Sequence, residues 1–139
     1  YIANYGSDNL SVIDIMQTVK GNSAGAVSSI DNVGFSIVSV IADPVFDRIY
    51  LLKERPAEIM IIRPFTGGFD SLRSIMPPVM GTIAVGTSPR SFILGPEGRK
   101  LYVVNTGSDN ISVIDKTTKR EEQVIPTGRK PYGIAVFPR

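Results

Sequence analysis

The side chains able to do chemistry in this chain are few in kind. Histidine and cysteine are both absent. That removes the commonest general base, the thiolate nucleophile and the soft metal ligands. A Ser-His-Asp triad cannot be assembled from these residues. What remains is charge and turn oxygen. Arg90, Arg129 and Lys130 stand in Gly- and Pro-marked connections, with Lys53 and Arg55 in another. Gathered on one face, such cations recognise a carboxylate or phosphate; set apart, they are solvated loop charges. Ser7-Asp8-Asn9 and Ser108-Asp109-Asn110 offer oxygen atoms, but one carboxylate per turn is too few for a dedicated calcium site. Local hydrogen bonding of Asp and Asn to the turn backbone is the simpler use of them. Asn9-Leu10-Ser11 and Asn110-Ile111-Ser112 also match the N-glycosylation sequon. Glu121, Glu122, Asp14 and Asp115 form no recognisable acid–base pair. No catalytic residue, metal or cofactor is expected within the chain.

The elements that must position these groups repeat. The fourteen residues from Tyr1 to Asp14 recur from Tyr102 to Asp115, with ten positions identical. A worn copy runs from Tyr50 to Arg63, where only Tyr50, Ile59 and Ile62 match but the apolar strand positions stay apolar. Gly86-Thr87-Ser88-Pro89 returns as Gly128-Arg129-Lys130-Pro131, 42 residues on. The best copy reads as four strands at 91–94, 100–105, 111–115 and 122–126, separated by turn residues. Four short strands in about 40–45 residues are the mark of a β-propeller blade. Leu101-Tyr102-Val103-Val104 is apolar on both pleat faces, as a sheet packed between two neighbours requires. The expected fold is therefore all-β, with blades of four antiparallel strands, about three blades in all. Blade 1 covers about 1–33 and lacks its first strand, blade 2 about 34–86 and blade 3 about 87–128. Residues 129–139 would be the first strand of a further blade. Loops of a propeller alternate between two faces, which puts Arg90, Arg129 and Lys130 near the channel mouth on one face. The blade 2 counterparts, Ile37 and Val38, carry no charge.

The same residues carry a family resemblance. Tyr102-Val103-Val104-Asn105, Ser108-Asp109-Asn110, Ser112-Val113-Ile114-Asp115 and Ile125-Pro126-Thr127-Gly128 look like the YVTN-type β-propeller repeat. So does Pro131-Tyr132-Gly133-Ile134-Ala135-Val136. The resemblance is strong for 81–139 and 1–14 and weak for 15–80. It implies an extracytoplasmic protein, whether periplasmic, secreted or on the cell surface. It says little of function, because one fold hosts many. Relatives with this repeat include haem-d nitrite reductases and quinone-linked dehydrogenase subunits, whose propellers hold cofactors in the channel. Ligation through His cannot be carried onto these residues, and a lactonase-like hydrolase is disfavoured for the same reason.

Composition narrows the partners. The chain has 139 residues and a formal net charge of +2, too small and too dispersed for nucleic acid. No apolar run approaches the roughly 18 residues of a membrane span. The chain reads as a partial propeller completed by further blades, or alternatively as half of a six-bladed ring closed by a head-to-tail homodimer. Residues 15–33 read as a loop and an outer strand near 26–30. Residues 64–80 are the anomaly, because blade 3 makes the same connection with four residues, 116–119. Loops of that length in compact domains are usually functional or disordered, yet Phe65, Phe69, Ile75 and Met76 are too apolar for a solvated one. They either cap the blade edge or dock against a protein partner. The functional expectation is a non-catalytic binding or scaffold module for protein–protein or cell-surface assembly. The alternative is the propeller portion of a periplasmic redox enzyme whose catalytic residues lie outside this chain.

Overall fold

The structure, a computed structural model, describes residues 1–21, 25–64 and 79–138. Its described strands fall into three antiparallel sheets. The first holds β1 (Ile2–Ala3), β2 (Asn9–Ile13) and β3 (Val27–Asp31) in that order. The second holds β4 (Ile37–Asp43), β5 (Arg48–Lys53), β6 (Glu58–Ile62) and β7 (Val79–Ala84). The third holds β8 (Pro89–Leu94), β9 (Lys100–Asn105), β10 (Asn110–Asp115) and β11 (Arg120–Pro126). β1 lies beside β4 and β4 beside β8, while β7 lies beside β11. The sheets thus fan out with inner strands together and outer strands together, as blades of a partial propeller.

The alternation of side chains explains why the central sheet is apolar on both faces. Successive residues of a strand point to opposite faces. Tyr50, Leu52, Ile59 and Ile61 pack towards blade 3, against Phe92, Leu101, Val103 and Ile114. Their neighbours Ile49, Leu51, Met60 and Ile62 pack the other way, against Leu10 and Val33 of blade 1. Each large side chain so buried contributes about 1.5–3 kcal/mol. Alone, this blade would leave both of these faces wet, so the blades stabilise one another. The outermost strand β11 is exposed along its whole length and carries Arg120, Glu121 and Glu122. Charges on an edge discourage pairing with other chains.

Three stretches differ from the sequence reading. A short helix, α1 (Ile15–Val19), stands where only loop was expected. Ile15, Thr18 and Val19 are poor helix formers, and the turn of helix is held by Asp14, whose Oδ1 accepts from Met16 N at 2.9 Å and Gln17 N at 3.2 Å. Val79 and Met80 belong to β7 rather than to the preceding connection. Residues 129–138 form no strand. They lie against blade 3, where Thr106 Oγ1 donates to Pro131 O at 2.6 Å and Ser91 Oγ donates to Tyr132 O at 3.0 Å. A strand needs a hydrogen-bonded neighbour, and none of the three sheets supplies one here.

Candidate functional site

The polar residues shared by the two clean repeats are bound to one another. Asn105 and Asn110 face each other across the β9–β10 hairpin. Asn105 Nδ2 donates to Asn110 Oδ1 and to Ser112 Oγ, each at 2.8 Å, and Ser108 Oγ donates to Asn110 Oδ1 at 3.2 Å. The first repeat copies the arrangement: Asn4 Nδ2 reaches Asn9 Oδ1 and Ser11 Oγ at 2.8 Å, and Ser7 Oγ reaches Asn9 Oδ1 at 3.0 Å. We call this group the amide clasp. It explains the recurrence of Asn, Ser, Asn and Ser at fixed spacing. Gly86 closes over it; a Cβ there would stand 2.6 Å from Asn105 Cγ and Ser108 Oγ. The Ser112 hydroxyl of the second sequon is fully buried in the fold and accepts from Asn105.

In the worn repeat the same places hold Lys53, Glu58 and Met60. Lys53 and Glu58 face each other in the ladder and form an ion pair at 3.6 Å. Met60 joins the apolar cluster facing blade 1. A neutral clasp has become a charge pair and a core residue. Lys53 is buried at 6 % exposure, so it is withdrawn from the cationic face on which the sequence placed it.

The turn aspartates are used over a longer range than local turn bonding would need. Asp109 Oδ1 accepts from Lys130 N at 2.8 Å, and Asp8 Oδ1 accepts from Gly34 N. Each ties its hairpin turn to the connection leading out of its own blade. Among the described residues, no group of three or more acidic side chains is placed to hold a metal ion.

The cations are dispersed by their partners. Arg90 Nη2 lies 3.5 Å from Glu54 Oε1, with the arginine side chain 43 % exposed. Tyr5 donates its phenol hydrogen to Glu54 Oε2 at 2.6 Å. Blades 1, 2 and 3 thus each supply one member of a Tyr5–Glu54–Arg90 relay. The phenol hydrogen bond, with help from Arg90 and Arg55, holds the Glu54 carboxyl below its ordinary pKa of 4.5. Arg129 and Lys130 are exposed on the stretch lying over blade 3. Among the described residues no ion pair engages them. Phe65, Phe69, Ile75 and Met76 lie outside the described residues.

One pair was not legible from the spacing. Lys116, in the β10–β11 turn, places its ammonium on the Asp43 carboxylate at the end of β4, with both side chains fully buried. The ammonium also sits 4.1 Å from the centre of the Phe46 ring, a favourable cation–π position. Beside it, burial and the Asp43 charge push the Tyr50 phenol from 10.0 up to about 12.

No family model matches this chain, and no curated protein does either. Solved structures share its fold. It is similar to hydrazine synthase of Kuenenia stuttgartiensis, at 24 % identity and a TM-score of 0.56, over 69 % of this chain and 24 % of that one. It is also similar to AztD of Citrobacter koseri. The apo structure matches at 20 % identity and a TM-score of 0.64, over 94 % of this chain and 32 % of that one. A second AztD structure gives 19 %, 0.61, 94 % and 33 %. These are propeller-type proteins, and the chain spans about a quarter to a third of their length. At such identities the likeness speaks for the fold.

Proposed function

We propose that this chain is a section of an extracytoplasmic β-propeller that acts as a binding or scaffold module in a larger assembly, without chemistry of its own. One observation carries the reading. The polar residues that define the repeat are consumed by the amide clasp and the junction ties, so what the described residues offer outward is surface. The compartment rests on the repeat resemblance. No helix among the described residues is long and apolar enough to cross a membrane. Further blades, a protein partner or a second copy in a head-to-tail ring would cover the open flanks. Arg129 and Lys130, with the free edge of Arg90, would meet acidic groups of such a partner. Phe65, Phe69, Ile75 and Met76 would dock by apolar contact.

A second reading, a propeller section of a periplasmic redox enzyme, draws on the likeness to hydrazine synthase, an enzyme by name. In that case the reacting groups lie outside this chain. The visible absorbance spectrum of the native assembly purified with its partners separates the two. A colourless assembly with a stoichiometric protein partner supports the scaffold. Haem or quinone bands in proportion to the chain would overturn it.

A further inference from the structure

The buried pair Lys116–Asp43 does something that the amide clasps cannot. The clasp lies within one blade and is nearly the same in blades 1 and 3. The ion pair crosses between blades: Lys116 belongs to blade 3, while Asp43, Phe46 and Tyr50 all belong to blade 2. Both ends are fixed. Lys116 N donates to Arg99 O at 3.0 Å. Asp43 Oδ1 is held by the amides of Val45 and Phe46 at 3.1 and 3.3 Å.

Among the described residues the pair occurs at one junction only. In the repeat alignment the place of Lys116 is taken by Ile15 in blade 1 and by Pro64 in blade 2, and the place of Asp43 is taken by Gly95 in blade 3. The buried cluster at each junction is otherwise apolar, while the Tyr5–Glu54–Arg90 relay runs across both junctions. Repeats that resemble one another this closely are prone to stack in the wrong order or to exchange between chains. A blade offering Ile or Pro at the Lys116 position would leave the Asp43 carboxylate buried without a counter-charge. That is strongly unfavourable, whereas the correct neighbour neutralises it.

We propose that Lys116 and Asp43 form a pairing key that decides which blade stacks on blade 2. Its main effect is to exclude wrong neighbours; an apolar pair of similar volume would hold the right one about as well.

The test uses the full chain in four forms: unmodified, Lys116→Met, Asp43→Asn, and the double substitution. Asn keeps the oxygen that accepts from Val45 and Phe46. Each form is unfolded, refolded at micromolar concentration and examined by sedimentation velocity and denaturant unfolding. Either single substitution lowers the unfolding midpoint. The double form recovers most of the midpoint, yet yields a several-fold larger share of exchanged, higher-mass species than the unmodified chain. The proposal is overturned if the double form refolds with the unmodified mass distribution, which would make the pair structural only. It is equally overturned if the double form does not fold, since the pair would then supply stability rather than choice, or if both single forms behave as the unmodified chain.

Discussion

Asn105 shows how much one residue can hold. Its amide serves Asn110 and Ser112 at full burial, while its Oδ1 has no partner. Asn105→Ala leaves two further polar groups short of a donor. It should lower unfolding free energy by about 1–3 kcal/mol, read from urea midpoints, and the half-buried Asn4→Ala should cost less. Gly86→Ala should also destabilise, because its methyl would press on the clasp. Tyr50 gives a pH test. A phenol held at about 12 in the folded state against 10.0 when free keeps its proton more tightly when folded. Its contribution is complete below pH 10.0 and is lost as the pH rises through 12. Absorbance titration should show one tyrosine ionising late, and Tyr50→Phe should remove that step. The clasp residues were visible in the sequence as identities between two copies. Their use was not, because an Asn beside a turn is equally at home bonding the local backbone. Lys116 and Asp43 were invisible for a plainer reason: they stand 73 positions apart and neither recurs.

Elements followed the repeat closely where the repeat is clean. β8 to β11 lie within two residues of the expected strands, since strand and turn chemistry agree there. Departures came where a connection is longer than in the clean copy, at α1, or where no sheet offers a neighbour, at 129–138. Asp14 and Asp115 stand at the same repeat position and accept from the two amides that follow in the same way, Asp115 Oδ1 from Thr117 N at 2.8 Å and Thr118 N at 2.9 Å. One leads into α1 and the other into a tight turn, because the connections that follow differ in length. The Thr118 amide foremost, then that of Thr117, holds the Asp115 carboxyl below its ordinary value of 3.8. The tie is therefore intact above 3.8 and is lost as the pH falls towards the lowered value. The amide resonances of Thr117 and Thr118 should titrate together in that acid range, and Asp115→Ala should remove the transition. In the worn blade, Met60→Ala should cost about 2–5 kcal/mol as a cavity in the blade 1–blade 2 cluster, although the clean repeats carry Ser at that place. Tyr50-Leu51-Leu52 and Ile59-Met60-Ile61-Ile62 kept the apolar signal of the strands, and so blade 2 was still legible after its clasp had gone.

At the scale of the whole chain, three sheets act as one stack because the middle one has no wet face. Blade 2 is packed on both sides, and the relay from Tyr5 through Glu54 to Arg90 links all three blades at one end. The number of blades and their four-stranded plan could be read from the period. That apolar faces hold blade to blade could be read too, from Leu101-Tyr102-Val103-Val104; the polar ties between blades could not, since they join residues whose only common feature is their place in space. The most direct test is hydrogen–deuterium exchange of the full chain, followed by mass spectrometry at native pH. A single stack predicts that peptides covering β5, β6, β9 and β10 exchange slowly and at a common rate, with β11 fast. If blade 3 exchanges as an open chain while blade 2 stays protected, or if each sheet shows its own rate, the blades are independent and the account of their junctions is wrong.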